Sequence, residues 1–337
     1  MNQEQAASRK GARLGPALRK GLPWMVTAGV FVYVFHRVPV DKVLDAALHV
    51  NLRIFLPVLL ASLSFAFFWE VLVYTLLFRW FGTRVTYREM MPVRGAVFLL
   101  ILLNFFVGQG GMALLMNRWK KLSVSRATSV ILFSMFNDYY LILAFCLAGA
   151  FQLPDVDLVC FFRAGEEGDL VRFVLISWLF FTAHIAFYRL YLPRAGGMDR
   201  IKKNEILSAF REAPTTLYFK LGMVKSVGFI VGIVAYYYAF FAVGLHVPFL
   251  HLLVMLPMVW LIGSIPITVM GLGTVQAAMI WLVARFAQGS GGPDEINAAV
   301  VALSLLWSLG YNLGRFAIGA VCVSRLPKNI WKPKAGT

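Results

Sequence analysis

The chain has 337 residues, of which 60% are hydrophobic and 14% are charged, and its mean hydropathy is +0.73. This balance excludes a water-soluble domain, and several apolar runs of about 20 residues are long enough to cross a bilayer. The net charge of +16 is explained by Lys and Arg on cytoplasmic loops rather than by nucleic-acid binding. We therefore expect an all-α integral membrane protein, because lipid-exposed backbone must satisfy its own hydrogen bonds.

Eight apolar runs follow one another along the chain: residues 22–38, 54–78, 92–116, 126–150, 170–192, 222–243, 249–286 and 296–321. If every run crossed once, the loop at 117–126, with net charge +4, would lie outside. The loop at 151–169, with net charge −4, would lie in the cytoplasm. This arrangement inverts the positive-inside rule. Both loops fall on the expected side if 92–116 returns to the cytoplasm. A similar return of 249–286 to the outside then places residues 287–295, with net charge −2, outside and the basic C-terminal tail inside.

Glycines interrupt the same two runs. The first contains Gly108, Gly110 and Gly111, and the second contains Gly271 and Gly273. Glycine permits the tight reversal that the tip of a hairpin needs. The sequence therefore predicts about six full spans plus two re-entrant hairpins, with both termini cytoplasmic.

The two halves of the chain have the same order of predicted segments. The first membrane repeat is predicted at 22–150 and the second at 170–323, separated by an acidic outer loop at 151–169 and flanked by basic cytoplasmic tails at 1–21 and 324–337. In each half a short amphipathic segment follows the first span. The first span is expected to be a retained helix rather than a cleaved signal. The halves start on opposite sides, which predicts an inverted-topology repeat with a binding site near the midplane.

Three ionisable residues lie deep within the predicted spans: Glu70, Asp138 and Arg315. Charges there are costly and usually functional. One interpretation is that all three face a polar cavity in which Arg315 holds a phosphate. The alternative is a structural ion pair between Arg315 and either carboxylate. Arg118, just after the first hairpin, is a candidate for binding a lipid headgroup, although basic residues there also determine topology.

Two stretches carry a family resemblance: NFFVGQGGMALLMNRWKKLSVSRATSVILFSMFNDYYLI from Asn104 and IGSIPITVMGLGTVQAAMIWL from Ile262. They resemble the lysylphosphatidylglycerol synthase transmembrane family of flippase-like proteins, which includes the membrane half of the multiple peptide resistance factor and archaeal proteins of dolichol-linked glycosylation. The residues that match are Asn104, Gly108, Gly111, Arg118, Asp138, Gly271 and Gly273. The resemblance implies a lipid-binding role for these positions, together with Gln109 and Gly110 between them.

The chain departs from the family pattern at its acids. Ser134 and Met135 stand where a Glu-Arg pair is usual, and Gln276 replaces a Glu. We include Gln276 among the candidate lipid-binding residues, but the loss of both acids weakens any implied coupling to protons. No aminoacyl-transferase domain is expected after the second repeat.

Together these patterns favour a lipid translocase, a flippase or scramblase-like transporter that moves a phospholipid or lipid-linked amphiphile between leaflets. The alternatives are a membrane glycosyl- or phosphotransferase acting on a lipid-linked substrate, and a non-transporting partner of a lipid biosynthetic enzyme. No phosphate-binding Gly-x-x-x-x-Gly-Lys motif and no metal-binding cysteine spacing occurs. We therefore expect no cofactor or metal. The expected location is a bacterial or archaeal cytoplasmic membrane.

The predicted topology is testable by labelling single cysteines in a cysteine-free variant with a membrane-impermeant maleimide. A cysteine at position 121 should be protected in intact cells, and one within 151–169 should react. Reaction at position 121 from outside would contradict the first re-entrant hairpin.

Overall fold

The computed structural model describes residues 16–152, 169–194, 197–264, 268, 271–327 and 330. These residues form helices and no strand. The first half contains α1 (Pro16–Arg37), α2 (Val40–Leu48), α3 (Leu52–Trp80), α4 (Tyr87–Leu103), α5 (Phe105–Lys120) and α6 (Val124–Gln152). The second half contains α7 (Asp169–Ala186), α8 (Asp199–Lys203), α9 (Ser208–Glu212), α10 (Thr215–Ala242), α11 (Phe249–Ser264), α12 (Thr274–Leu282) and α13 (Pro293–Ser324).

Four of the described helices are long and apolar enough to cross a membrane: Leu52–Trp80, Val124–Ala148, Thr215–Ala242 and Pro293–Ser324. The prediction of an all-helical integral membrane protein agrees with this finding. α1 and α7, which correspond to the predicted spans 22–38 and 170–192, are not among the four, so the count of six spans stays a prediction. Most of the acidic loop and most of both basic tails lie outside the described residues.

The predicted first hairpin consists of α4 and α5, which a single residue, Asn104, connects. Asn104 has extended backbone (φ −170°), and its side chain accepts a hydrogen bond from the Phe106 N–H at 2.8 Å, which caps α5. At the open end, Lys120 pairs with Glu89 at 2.9 Å, so the chain folds back on itself. The Lys120 ammonium and the Thr86 backbone N–H lower the pKa of the Glu89 carboxyl to about 2, which keeps it ionised.

The predicted position of the first turn is wrong. Gly108, Gly110 and Gly111 lie inside α5 and have no positive φ, because the cap at Asn104 already ends α4 and begins α5. Two of these glycines instead let the arms pack closely. A Cβ at Gly108 would lie 2.4 Å from the Ile101 side chain, and one at Gly111 would lie 2.2 Å from the Leu100 side chain.

The second hairpin consists of α11 and α12. At its open end, His246 and Gln288 exchange two backbone hydrogen bonds of 2.8 Å. At its tip, Gly271 and Gly273 have φ of 73° and 85°, as the sequence predicts for this turn. Residues 265–267, 269 and 270 of the tip lie outside the described part of the chain.

Helices of the two halves contact each other reciprocally. α13, the last helix of the second half, packs on α4 of the first hairpin, and α6, the last helix of the first half, packs on α11 of the second hairpin. α13 also packs on α2, and α6 packs on α9, the corresponding short helix. α3 and α10, which hold matching places in the two halves, pack on each other. Reciprocal contacts of this kind are typical of two units related by a two-fold axis.

Gly273 and Gly110 should respond oppositely to substitution by alanine. Gly273→Ala adds a Cβ at positive φ, 3.1 Å from Val30 on α1, and should destabilise the protein by about 1–2 kcal/mol or more. Gly110→Ala adds a Cβ to a helix where no atom lies within 4 Å, and should stabilise it by up to about 1 kcal/mol. Thermal unfolding in detergent measures both. A higher melting temperature for Gly273→Ala would contradict the described turn.

Candidate functional site

A cavity of about 440 Å³ lies between the two halves. Side chains from α3, α4, α5 and α6 line it on one side, and side chains from α10, α11, α12 and α13 line it on the other. Five of its lining residues are ionisable and charged in their ordinary state: Glu70, Arg94, Asp138, Lys225 and Arg315.

Glu70 on α3 pairs with Arg94 on α4. The Arg94 Nε and Nη2 atoms donate to one oxygen of Glu70 at 2.8 and 2.6 Å. The Arg94 guanidinium also lies over the Tyr74 ring, 4.4 Å from its centroid. The Arg94 side chain is only 4% exposed, whereas that of Glu70 is 37% exposed. This pair therefore fixes α4 against α3 and presents the carboxylate to the cavity.

Asp138 on α6 pairs with Lys225 on α10, so this ion pair joins the two halves. The Lys225 ammonium lies 2.6 Å from Asp138 and donates to the Ser134 carbonyl and hydroxyl oxygens at 2.8 and 2.7 Å. The three contacts use all three N–H groups of the ammonium. Lys225 is thereby fully paired, and it has no free N–H with which to bind a ligand unless one of these contacts breaks.

Arg315 on α13 differs from the other two cations. Its guanidinium lies over the Tyr311 ring at 5.2 Å and the Phe98 ring at 5.7 Å. It forms no ion pair with any described residue, and its Nε is buried with no hydrogen-bond partner there. The predicted structural pairing of Arg315 with Asp138 or Glu70 is therefore wrong, because Arg94 and Lys225 already hold both carboxylates.

The charged side chains lie at similar depth. Glu70 is ten residues from Trp80 on α3, and Lys225 is ten residues from Thr215 on α10. Arg315 is nine residues from Ser324 on α13, and Asp138 is fourteen residues from Val124 on α6. These spacings give about 14–21 Å along the helix axes. These helix ends lie on one side of the protein, where Arg126 near the start of α6 pairs with Glu212 just before α10. Asp138 thus lies at the middle of α6, whereas Glu70, Lys225 and Arg315 lie about a third of the way along their helices from these ends.

The ionised side chains leave the cavity with a net positive charge. Its lining contains the two carboxylates of Glu70 and Asp138 and the three cations Arg94, Lys225 and Arg315, so the formal charge is +1. The excess charge resides on Arg315, since the other four groups form two pairs. A low-dielectric cavity with an unpaired guanidinium attracts an anion, and the planar donors of Arg suit a phosphate or carboxylate.

Aromatic side chains form much of the remaining wall. Tyr236, Trp260, Trp307 and Tyr311 line the cavity. The Tyr236 and Trp307 ring centroids are 4.5 Å apart, and Trp307 stacks on Tyr311 at 5.8 Å. Aromatic rings therefore line the cavity beside the charged groups, with Tyr311 next to the Arg315 guanidinium.

Only some of the candidate residues predicted from the sequence line the cavity. Glu70, Gln109, Asp138 and Arg315 line the cavity, and Gln109 accepts a hydrogen bond from Tyr74 at 3.3 Å. The other candidates are not among the lining residues: Asn104, Gly108, Gly110, Gly111, Arg118, Gly271, Gly273 and Gln276. Gln276 instead accepts a hydrogen bond from the Gly273 N–H at 2.7 Å and caps α12, and Arg118 is exposed. A direct ligand role for these residues stays a prediction.

Sequence reasoning missed Arg94 and Lys225 as site residues. Both stand within three residues of the start of a predicted apolar run, 92–116 or 222–243, where a cation is expected to mark the cytoplasmic end of a span. The structure places them within α4 and α10, whose first turns begin at Tyr87 and Thr215. The capping-box pattern Thr86-x-x-Glu89 is the signal that locates the true start of α4.

No protein family model matches the chain, and neither a curated protein nor a solved structure matches it. The resemblance to flippase-like membrane proteins therefore rests on the sequence motifs alone.

The ion-pair assignments predict different effects for two equivalent substitutions. Arg94→Met leaves the Glu70 carboxylate without its partner and should destabilise the protein by about 2 kcal/mol, less than for a fully buried pair because Glu70 keeps some exposure. Arg315→Met removes a guanidinium that has only ring contacts and should change stability by less than about 1 kcal/mol. Melting in detergent compares the two variants. A larger loss for Arg315→Met would show that Arg315 has a structural partner.

Proposed function

We propose that the chain is a lipid translocase that moves an amphiphile with a phosphate-bearing headgroup between the leaflets of a membrane. The observation that carries this proposal is the Arg315 guanidinium, unpaired among the described residues, in a cavity between two similar halves and nine residues from the Ser324 end of α13. In this proposal the headgroup occupies the cavity, and its phosphate forms two parallel hydrogen bonds with Arg315. The acyl chains stay in the bilayer.

The arrangement of the halves supports this function. The two helical hairpins would be re-entrant, entering from opposite membrane faces, and the reciprocal packing of α13 on α4 and α6 on α11 supports an inverted repeat. The Asp138–Lys225 pair connects the halves across the cavity. Motion of one half against the other would open the headgroup site to each leaflet in turn. The expected setting is a bacterial or archaeal cytoplasmic membrane with both termini inside.

The cavity is less suited to catalysis on a lipid-linked substrate. Each of its carboxylates is held by a cation within 2.6 Å, which leaves neither in the position of an available general base. Within the described residues no three His, Cys, Asp or Glu side chains are grouped to hold a metal ion. A role as partner of a lipid biosynthetic enzyme is compatible with the cavity and differs from translocation in predicting no lipid exchange by the purified protein.

Reconstitution into liposomes tests the proposal. The purified protein should accelerate leaflet exchange of fluorescent phosphatidylglycerol, measured by quenching with an impermeant reductant. Arg315→Met should reduce the exchange about tenfold or more, because a charge-assisted hydrogen-bonded pair contributes about 1.5–3 kcal/mol.

Arg325→Met is the matched control, since Arg325 follows the same helix and is exposed outside the cavity. It should leave exchange unchanged. Full exchange by Arg315→Met would exclude the phosphate role. Altered lipid products in the same liposomes, detected by mass spectrometry, would indicate an enzyme instead.

A further inference from the structure

An aromatic track leads away from Arg315 along the cavity wall. Tyr311 lies beneath the guanidinium, Trp307 stacks on Tyr311 with an interplanar angle of 25°, and Tyr236 packs on Trp307. Trp260 continues the series, 6.4 Å from Tyr236 between ring centroids. Arg315 and Trp307 are eight residues apart on α13, which corresponds to about 12 Å along the helix. The track is therefore long enough for a phosphate and one ring attached to it.

The same wall carries polar groups that lack partners. Within the described part of the chain, no hydrogen bond is formed by the indole N–H of Trp260 or Trp307, the Tyr236 hydroxyl, or the side chains of Ser308 and Asn312. All five residues line the cavity. None of these polar atoms is fully buried, so they are accessible from the cavity and can pair with a ligand that both donates and accepts hydrogen bonds.

Three kinds of ligand differ in how well they fit this wall. An acyl chain would leave every one of the polar groups unsatisfied. A cationic headgroup would enter a cavity that already has a formal charge of +1. A polyhydroxylated six-membered ring has C–H faces that pack on the negative faces of aromatic rings, and hydroxyl groups at its edge that pair with Ser, Asn, Tyr and indole N–H groups.

We propose that the cavity binds a phosphate-linked polyhydroxylated ring, a sugar or an inositol, carried by a lipid. Arg315 holds the phosphate and the Trp307–Tyr236–Trp260 wall holds the ring. This inference rests on the proposed function for the role of Arg315 and for the lipid, and adds the class of headgroup. The same ring phosphate also exists in soluble compounds, so the experiment separates the two sources.

The test measures binding to the purified protein in detergent by tryptophan fluorescence. Dioctanoyl phosphatidylinositol and dioctanoyl phosphatidylglycerol carry the same single negative charge and the same chains, and differ only in the headgroup alcohol, an inositol ring in one and an acyclic glycerol in the other. The inositol lipid should bind with a Kd about tenfold lower. Trp260→Leu and Asn312→Leu should each remove most of this preference without weakening phosphatidylglycerol binding. Because two variants are tested, the experiment still gives an answer if one of them fails to fold. The control is Trp24→Leu, at a 67% exposed position on α1.

The outcomes separate the ring inference from the proposed function. Equal affinity for the two lipids, with binding of both weakened by Arg315→Met, overturns the ring and leaves the proposed function intact. Equal binding by wild type and Arg315→Met overturns the phosphate role on which both depend. Glycerophosphoinositol, the soluble diester, should bind at least tenfold more weakly than the inositol lipid. Equal binding of the two would assign the site to a soluble ring phosphate and overturn the lipid part of the inference.

Discussion

Every charge inside an apolar helical protein needs an opposite charge or a polar partner, because lipid provides neither. Glu70 with Arg94, and Asp138 with Lys225, satisfy this requirement through contacts of 2.6 Å. Arg315 lies about as far from its helix end as Glu70 and Lys225 do, and it has no such partner among the described residues. The functional account depends on this imbalance, since a cavity of formal charge +1 is stabilised when an anion enters it.

Two helical hairpins contribute to the lining of this cavity. The hairpins are α4 with α5 and α11 with α12, and none of these helices is among the four described ones that are long and apolar enough to cross a membrane. Direct contacts join the two arms of each hairpin at the end opposite its turn. The last helix of each half then packs on the hairpin of the other half. The cavity lies between these hairpins and the long helices α3, α6, α10 and α13, and its lining contains all five charged side chains.

Much of the fold could be predicted from the sequence, because hydropathy and loop charge are properties of whole segments. They predict the helices, the two hairpins and the matching order of the halves. The second turn was also predictable, since Gly271 and Gly273 have the positive φ that only glycine adopts easily. The first turn was not, because its glycines serve close packing against Leu100 and Ile101, and a single capping Asn makes the reversal.

The site was predictable only in part. Glu70, Asp138 and Arg315 were found because a charge deep in an apolar run is conspicuous. Arg94 and Lys225 stand near the ends of such runs, where hydropathy does not separate a buried cation from a loop cation. Which cation neutralises which carboxylate depends on distances between helices far apart in sequence, such as α6 and α10. The aromatic wall is equally invisible, because Trp260 and Trp307 resemble ordinary packing residues until their shared cavity is known.

Native mass spectrometry of the protein extracted in mild detergent tests the central claim most directly. The wild-type protein should retain one equivalent of a phosphate-containing lipid with a single net negative charge. Arg315→Met, purified in the same way, should lose it. Retention of the same lipid by both proteins, or of neutral lipid alone by the wild type, would contradict an anion site at Arg315.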